Sequence, residues 1–342
     1  MEEHPFVSIL IPVRNEARYM PRCLQAIADQ DYPSDNIEVL IADGMSDDGT
    51  SELLQDWASQ AANRYVFQNP GKIVPTGLNI LIPKAKGEVI IRVDGHCIIA
   101  PDYVSNCVRH LQQDQVDGVG GPMRSIGEDH ISQVTALAMS SKFGVGNSSF
   151  RTEIGQTKLA DTVPFPAYTH AIIEKVGLYD EELVRNQDDE YNYRIREAGG
   201  KILLAEDVKS EYYSRGSLKK LWKQYFQYGF WKVRVLQKHP RQMSLRQFVP
   251  LAFVLALILT ILLSLLAPWG WKALPALVGA YLLANLSVSV VTASGQGVKK
   301  LLHLPLAFAI IHLSYGLGFL LGLFKFWNRW KDKKGQVPVW LP

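Results

Sequence analysis

Cysteine is scarce in this sequence of 342 residues: there are three, and they form neither a CxxC pair nor an even set. Disulfide frameworks and CxxC metal or redox sites are therefore excluded, and we expect Cys23, Cys97 and Cys107 to be reduced structural thiols. Gly-x-Gly-x-x-Gly turns and Walker loops are also missing, which excludes the usual dinucleotide and P-loop sites. No basic segment followed by an apolar one precedes the first strand pattern, so we expect no cleaved signal peptide.

A large excess of one charge sign is absent as well, because 36 Lys and Arg face 33 Asp and Glu, for a net charge of +3. The basic residues are concentrated just before and just after long uncharged runs. This distribution favours a membrane surface as the partner and argues against nucleic acid. Residues 1–246 are mixed and polar, whereas 247–327 hold the uncharged runs, so we predict a soluble domain followed by a membrane region.

Three runs in the second part contain no Asp, Glu, Lys or Arg: 248–267, 273–293 and 301–324. Each reaches the roughly 20 residues that a helix needs to cross a bilayer. We therefore predict three membrane spans. Intramembrane histidines within the last run, His303 and His312, are expected to be neutral and hydrogen-bonded.

The positive-inside rule does not fit three full spans easily. It places the basic cluster of residues 219–246 and the pair Lys299–Lys300 in the cytosol, and a third span then leaves the basic tail from Lys325 to Lys334 outside. The alternative is a re-entrant last run, helped by Gly316, Gly318 and Gly322.

The segment Ser217–His239 combines an apolar, aromatic face with lysines, which predicts a basic amphipathic helix in the headgroup region. A helix that packs on the protein's own core is the alternative. The predicted organisation is then an α/β domain at 1–214, interfacial helices at 215–246, the membrane region at 247–327 and a basic tail at 328–342.

Apolar runs of strand length alternate with helix patterns in the first domain. Phe6–Val13, Ile37–Ala42 and Glu88–Val93 read as buried strands, Tyr65–Phe67 as a possible further strand, and helix patterns lie between them. This order predicts a doubly wound, Rossmann-like α/β fold with a mostly parallel sheet. Ligands bind at the carboxyl ends of strands in such sheets.

Two aspartates follow strands at that edge. Asp43 could accept the N–H of a pyrimidine ring, although with Asp48 it could equally shape a turn and cap the next helix. Asp94 and His96 alternate along an extended segment, so both side chains can face one ion. Oxygen ligands suit Mg²⁺, and the imidazole favours Mn²⁺. An Asp–Gly turn beside an unrelated histidine is the alternative.

Three adjacent carboxylates, Asp188, Asp189 and Glu190, open a predicted helix that runs to Ala198. Like charges repel, so one carboxylate could have a raised pKa and serve as a base. The alternative is an acidic helix N-terminus stabilised by the macrodipole. The segment 143–150 is rich in glycine and serine and predicts a long loop that covers a ligand, lines an acceptor groove, or merely connects elements.

Val7–Pro12 with Asn15-Glu16, then Ala42–Thr50, then Arg92–His96, together resemble family 2 glycosyltransferases with the GT-A fold, over roughly residues 6–205. The resemblance implies that Asp43 contacts uracil and that Glu16 lies near the nucleoside. It also implies a metal at Asp94 and His96, with His96 in place of the usual second acidic residue. The complete donor-binding set that we expect is Pro12, Arg14, Glu16, Asp43, Lys72 and Asp94.

In that family the base belongs to a Glu-Asp pair followed by an arginine. Counting back from Arg194 assigns the base to Asp188, with Asp189 as the second choice and Gln187 in place of the glutamate. The Gln-Asp-Asp-Glu sequence resembles the succinoglycan-type glucosyltransferases. The resemblance places acceptor-side residues further along the chain, and the candidates are Arg151, His170, Gln224, Tyr225, Tyr228 and Trp231. A Gln-x-x-Arg-Trp motif is absent, which argues against processive synthesis.

The resemblance therefore implies an inverting transfer of a hexose, glucose being the first choice, from a UDP-sugar to a polyprenyl-diphosphate-linked saccharide in exopolysaccharide synthesis. We expect Mn²⁺ or Mg²⁺ as cofactor and a multi-pass protein of the plasma membrane with a cytoplasmic catalytic domain. Two alternatives stay open. Polyprenyl phosphate itself could be the acceptor, or the chain could be a non-catalytic membrane scaffold or transporter with a degenerate nucleotide domain.

Overall fold

A computed structural model describes residues 4–152, 155–214, 216–267 and 270–339. The described residues form two compact units. We call one the sheet unit, which takes its residues from 1–124, 153–212 and 334–342. The other is the helical unit, which takes its residues from 125–152 and 213–333.

The strands are short and mostly buried. They are β1 (Val7–Val13), β2 (Ile37–Asp43), β3 (Arg64–Gln68), β4 (Val89–Arg92), β5 (Cys97–Ile99), β6 (Gly118–Gly120), β7 (Met123–Ile126), β8 (Lys158–Leu159), β9 (Ala167–Thr169), β10 (Ile202–Leu204) and β11 (Ser210–Tyr213).

Helices follow most of the strands and form the C-terminal part. They are α1 (Met20–Ala28), α2 (Thr50–Ala58), α3 (Val74–Leu81), α4 (Tyr103–Gln113), α5 (His130–Met139), α6 (Lys142–Val145), α7 (Ser149–Thr152), α8 (His170–Val176), α9 (Gln187–Glu197), α10 (Leu218–Lys238), α11 (Val249–Leu266), α12 (Ala273–Ala293) and α13 (Val298–Lys325).

The main sheet has the strand order β3-β2-β1-β4-β9-β6-β10-β8. The strand β1 lies at its centre and pairs in parallel with β2 and β4, with Val13 opposite Asp43 and Leu10 opposite Arg92. Every residue of β1 and β2 is buried, as a strand covered on both faces requires. The antiparallel strand β9 joins the two parallel parts of the sheet. The predicted mostly parallel α/β fold is confirmed, and the carboxyl ends of β1, β2 and β4 meet at one edge.

Several boundaries differ from the sequence predictions. The first helix begins at Met20 rather than near Glu16. Ahead of it the Asn15 backbone has φ = 56°, and the N–H groups of Glu16 and Ala17 donate to the side chains of Thr50 and Asp48. The predicted loop at 143–150 contains parts of two short helices, α6 and α7. The cysteines are free and buried as expected, and burial raises the pKa of Cys23 to about 12.

Three helices of the helical unit are long and apolar enough to cross a membrane: Leu245–Leu266, Gly270–Ala293 and Val298–Lys325. The last one is a single continuous helix, without the internal turn that a re-entrant run would need. The glycines that suggested it serve close packing instead. A Cβ on Gly318 would lie 2.1 Å from the Phe226 carbonyl oxygen, and one on Gly316 would lie 2.3 Å from that of Pro250.

The amphipathic helix α10 packs along α13. Val233 of α10 shares a buried cluster with Phe319 and Phe326, and Gly229 allows the two backbones to approach closely. Helix α10 was predicted to lie in the headgroup region, and its lysines Lys219, Lys220 and Lys223 are exposed. Its packing on α13 also fits the alternative of a helix held by the protein itself, and the headgroup placement stays a prediction.

Candidate active site

Two turns at the carboxyl edge of the sheet are fastened to each other by side chains. Asn15 Nδ2 donates to Asp47 Oδ1 at 2.8 Å, and the Asp47 backbone N–H donates back to Asn15 Oδ1 at 3.0 Å. The Glu16 N–H donates to Thr50 Oγ1 at 2.9 Å. The motif residues after β1 and those after β2 therefore build one rigid platform, although more than 30 residues separate them in the sequence.

Asp43 ends β2 beneath this platform and is buried. Its Oδ1 accepts hydrogen bonds from Ser46 Oγ at 2.6 Å and from the Ser46 N–H at 3.2 Å. One carboxylate oxygen therefore shapes the turn, which is the structural role considered from the sequence. The contact with a pyrimidine stays a prediction.

Asp48 holds the same platform from its outer side. Its Oδ1 accepts from Thr50 Oγ1 at 2.5 Å, and its Oδ2 accepts from the Ala17 N–H at 3.2 Å. Partial burial works to raise the pKa of Asp48, but the hydrogen bonds from Thr50 and Ala17 outweigh it and lower that pKa. The carboxylate is thus kept ionised as a structural clamp.

Arg92, the last residue of β4, lies at the centre of the site. Its guanidinium is buried and donates from Nε and Nη2 to Asp94 Oδ1, at 3.1 and 2.9 Å. Its other terminal nitrogen, Nη1, donates to Asp188 Oδ1. One cation therefore joins the predicted donor-side carboxylate to the predicted base, which lies 94 residues further along the chain.

Arg92 was not among the site residues predicted from the sequence. The available signal was its place in an otherwise apolar strand, because a buried arginine requires carboxylates or carbonyls as partners. Burial alone would raise the pKa of Asp94, but Arg92, then His96 and Arg185, lower it below the ordinary value. Burial likewise works against the charge of Arg92, whose pKa is nevertheless raised by Asp94. Arg92 and Asp94 are therefore both charged and form an ion pair.

His96 is mostly buried, and its ring packs edge-on against Tyr212 with 4.8 Å between ring centroids. The buried Nδ1 has no hydrogen bond, because Glu16 Oε1 lies 3.0 Å away but in poor geometry for one. A buried imidazole nitrogen without a hydrogen bond is a suitable metal ligand. The His96 Nδ1 atom therefore fits a metal ligand, and a metal ion held jointly by Asp94 and His96 stays a prediction.

No group of three or more His, Cys, Asp or Glu side chains that could hold a metal ion occurs among the residues that the structure describes. In the predicted site Asp94 and His96 would supply two ligands, and the donor diphosphate and water would supply the others. Mg²⁺ and Mn²⁺ sites at nucleotides are commonly built in this way.

The three carboxylates at the start of α9 do not share one space. Asp188 contacts Arg92, whereas Glu190 is buried and accepts from Arg194 Nε at 2.7 Å and Nη2 at 3.1 Å. Arg194 also donates to the carbonyl oxygens of Val176 and Leu178, which anchors the helix. The Asp188 side chain remains 37% exposed, so an acceptor can reach it.

Other predicted donor residues lie at the same edge. The N–H of Asn69 donates to the Asp43 carbonyl oxygen at 2.7 Å, and the Lys72 N–H donates to Asn69 at 3.0 Å, so the turn that carries Lys72 is tied to Asp43. Arg14 and Lys72 are exposed and Pro12 is buried. Their contacts with a donor stay predictions.

The structure does not bring His170 to this edge. Thr169 pairs with Val89 at the start of β4, and His170 Nδ1 lies 2.8 Å from the Gly87 carbonyl oxygen. That is the amino end of β4, whereas Asp94 follows its carboxyl end. His170 is therefore removed from the acceptor candidates.

The remaining acceptor candidates belong to the helical unit. Within it, Arg151 Nη1 donates to Ser125 Oγ at 3.1 Å, and Gln224 Nε2 donates to Tyr228 Oη at 2.9 Å. Tyr225 packs edge-on against Tyr228, and Trp231 packs against Phe230. Their role at an acceptor stays a prediction.

Comparison with known proteins agrees with this geometry. The family described as "Glycosyl transferase family 2" matches residues 8–180. The chain is 31% identical to the succinoglycan biosynthesis protein ExoA of Rhizobium meliloti. The identity is measured over 330 residues, which cover 94% of this chain and 96% of that protein.

A second relative is named dolichyl N-acetyl-alpha-D-glucosaminyl phosphate 3-beta-D-2,3-diacetamido-2,3-dideoxy-beta-D-glucuronosyltransferase, from Methanococcus voltae. It is 27% identical over 328 residues, which cover 94% of this chain and 98% of that protein. Among solved structures, the fold is similar to that of the mannosyltransferase PcManGT from Pyrobaculum calidifontis in complex with GDP-Man and Mn²⁺. The TM-score is 0.59 and the identity 19%, over 95% of this chain and 88% of that one. With its GT-A sheet and its matching motif residues, the chain belongs to glycosyltransferase family 2.

Proposed function

We propose that this protein transfers a hexose, with glucose as the first choice, from a UDP-sugar to a polyprenyl-diphosphate-linked saccharide, with inversion at the anomeric carbon. The observation that carries the proposal is the cluster of Asp94, Arg92 and Asp188. It unites, at the ligand-binding edge of a GT-A sheet, a carboxylate for the donor side and an accessible carboxylate for the acceptor side.

The platform beside β1 and β2 supports the donor assignment. Asp43 uses one carboxylate oxygen for its turn, and the turn residues Asn15 and Asp47 are fixed to each other. The nucleobase of the donor would therefore meet a preorganised surface. Uracil is proposed because a carboxylate can accept the N–H of a pyrimidine ring. The structural neighbour described above was solved with GDP-Man, and a donor screen must therefore include GDP-mannose.

A bound Mn²⁺ or Mg²⁺ would neutralise charge on the departing diphosphate. In the proposal Asp94 and His96 hold the ion, and the lowered pKa of Asp94 keeps that carboxylate ionised for the purpose. Arg92 adds a fixed positive charge, which limits the repulsion between Asp94, Asp188 and an incoming anionic donor.

Asp188 is the proposed base. The acceptor hydroxyl oxygen forms a bond with the anomeric carbon while the bond from that carbon to the diphosphate oxygen breaks, and UDP departs with the electron pair. The hydroxyl proton passes to the Asp188 carboxylate. A single displacement of this kind inverts the anomeric centre. Asp189 is the second candidate for the same role.

The acceptor proposal is supported by the relatives and by the membrane helices. One relative is named for succinoglycan biosynthesis and the other for a sugar carried by dolichyl phosphate. A lipid-linked saccharide fits a chain with helices apolar enough to enter a bilayer. We propose that the sheet unit faces the cytosol of the plasma membrane, where exposed lysines of α10 meet anionic lipid.

The first experiment is a donor screen on membranes that contain the full chain. UDP or GDP release is measured with UDP-glucose, UDP-galactose, UDP-N-acetylglucosamine and GDP-mannose, each with Mn²⁺, Mg²⁺ or EDTA. The proposal expects release from a UDP-hexose that needs both a divalent ion and lipid acceptor. Mass spectrometry of the lipid product then distinguishes a polyprenyl-diphosphate saccharide from polyprenyl phosphate. No release from any donor, together with no UDP binding by calorimetry, would favour the non-catalytic scaffold instead.

A further inference from the structure

We propose that only α11 and α12 cross the membrane, and that α13 lies along the membrane surface with both of its ends on the side of the sheet unit. Length and hydropathy alone admit α13 as a third span. The contacts made by the segment after α13 argue against a third span. The inference holds whichever sugar the protein transfers.

The tail after α13 is part of the sheet unit. The Gln336 N–H donates to Asp180 Oδ1 at 2.8 Å, and the Glu181 N–H donates to the Gln336 carbonyl oxygen at 2.9 Å. Asp180 is 2% exposed and also accepts from the Glu182 N–H at 3.0 Å, so the tail is bound to a buried anchor of the loop before α9.

Those contacts determine whether the chain crosses the membrane an even or an odd number of times. A folded unit lies on one side of a bilayer, and Gln336 is hydrogen-bonded within it. The residues from 326 to 335, between α13 and Gln336, include Arg329, Lys331, Asp332, Lys333 and Lys334, which the hydrocarbon does not accommodate. The chain that leaves the sheet unit and returns to it must cross an even number of times.

Helix α13 is the one that differs from the other two. In the apolar 18-residue stretch of α13, 44% of the residues are buried inside the protein. The corresponding fraction is 11% for each of the other two candidate spans. The cover comes largely from α10, since a Cβ on Gly229 would lie 2.0 Å from the Tyr315 carbonyl oxygen and one on Gly322 would lie 2.6 Å from that of Phe230. Because α10 exposes several lysines, it is not itself a span, and α13 runs beside it.

The contacts between α13 and α11 fall where α11 begins. Gly316 approaches Pro250 and Val254, and Phe319 packs against Phe248 at 5.6 Å between ring centroids. Val254 is five residues into α11, about 8 Å along a helix with a rise of 1.5 Å per residue. The C-terminal half of α13 is therefore at the level at which the chain enters the membrane, not at the far side.

Charge at the two ends of α13 supports the same placement. Lys299 and Lys300 open the helix, and Lys325 and the basic tail follow it. One anionic surface can attract both ends, whereas a third span would place one basic end on the disfavoured side. The conflict with the positive-inside rule disappears when α13 does not cross.

The face of α13 that the protein leaves uncovered is apolar. Leu302, Leu306, Leu317, Leu321 and Phe324 are exposed on it at helical spacing. On a helix that lies along the surface, this stripe contacts the acyl chains of the near leaflet. We therefore assign the near leaflet of the membrane as the partner of this apolar face.

Impermeant maleimide labelling of the full chain in sealed vesicles tests the parity. The native cysteines are buried, so single cysteines report their own positions. The probes are Gln55→Cys on α2, Trp271→Cys between α11 and α12, and Val339→Cys in the tail, all at exposed positions. Val337→Cys is a second tail probe in case Val339→Cys does not fold.

We expect the tail probe and Gln55→Cys to react from the same face, and Trp271→Cys from the opposite face. Reaction of the tail together with Trp271→Cys would show three crossings and overturn the proposal. Reaction of all three probes from one face would show that α11 and α12 do not cross, and would overturn it as well.

Nitroxide depth measurements provide an independent test. Labels at Leu302, Leu313 and Phe324 lie 11 residues apart, about 16 Å along the helix for each step. A surface helix gives three similar depths. A spanning helix gives a central label much closer to the bilayer midplane than the outer two, which would contradict the proposal.

Discussion

Arg92 donates two hydrogen bonds to a single oxygen of Asp94, from Nε at 3.1 Å and from Nη2 at 2.9 Å. This arrangement leaves Nη1 for Asp188. The three side chains together carry one net negative charge, which suits a cation-assisted diphosphate site.

Replacing Arg92 with lysine should weaken both activity and stability. A lysine ammonium is a point charge without the planar fork, so it does not hold Asp94 and Asp188 together. We expect kcat to fall about 100-fold, and the free energy of unfolding of the purified protein to fall by about 1–3 kcal/mol, less than for a fully buried pair because Asp94 is 21% exposed.

Arg109→Lys is the matched control for this substitution. Arg109 pairs with Asp207, and both side chains are 42% exposed, so the change should leave kcat unaltered and the stability within about 1 kcal/mol. Equal losses of activity in the two variants would contradict a specific role for Arg92.

His96→Asp should change the metal preference. The substitution replaces an imidazole with a second carboxylate, and all-oxygen shells suit Mg²⁺ better. Calorimetric UDP binding should then be as tight with Mg²⁺ as with Mn²⁺, whereas the native protein should prefer Mn²⁺. An unchanged ratio of the two affinities would show that His96 is not a ligand.

Asp94 should contribute to stability only above acidic pH. Its pKa in the folded protein lies below the ordinary value of 3.8, so ionised Asp94 stabilises the fold above that value. The contribution is lost as the pH falls through the folded-state pKa. The difference in unfolding free energy between the native protein and Asp94→Asn should be full at pH 7 and shrink below about pH 4. A difference that stays constant down to pH 2 would contradict this linkage.

Gly229→Ala should disrupt the packing of α10 on α13. The new Cβ would meet the Tyr315 carbonyl oxygen at 2.0 Å, and overpacking of this kind typically costs about 1–3 kcal/mol. The thermal midpoint in detergent should fall by several degrees. Gly279→Ala in α12 is the control, because its Cβ would have no atom within 4 Å. A drop of equal size for the control would indicate a general effect on helices.

The sequence was sufficient to predict the α/β order of the sheet unit and the position of Asp94. Buried strands such as Ile37–Asp43 produce continuous apolar runs, and such runs are local features. The ends of helices were less predictable. Helix α1 begins at Met20, and the segment before it is tied to Thr50 and Asp48 through the N–H groups of Glu16 and Ala17, partners that the sequence does not reveal.

The relationships that organise the site are long-range, and local patterns do not encode them. The hydrogen bond from Arg92 to Asp188 spans 96 residues, and that from Gln336 to Asp180 spans 156. The family resemblance assigned His170 to the acceptor side, but the antiparallel pairing of β9 with β4 places it near the start of β4, at the opposite end of that strand from Asp94. The position of such a residue depends on the strand pairing, which local sequence patterns do not show.

The proposed transfer depends most directly on Asp188 as the base. The decisive measurement compares sugar transfer to lipid by the native protein, Asp188→Asn and Asp189→Asn, with UDP affinity determined for each by calorimetry. We predict that Asp188→Asn binds UDP normally and loses transfer by about 1,000-fold or more, while Asp189→Asn loses much less. Normal turnover by Asp188→Asn would contradict the proposed mechanism.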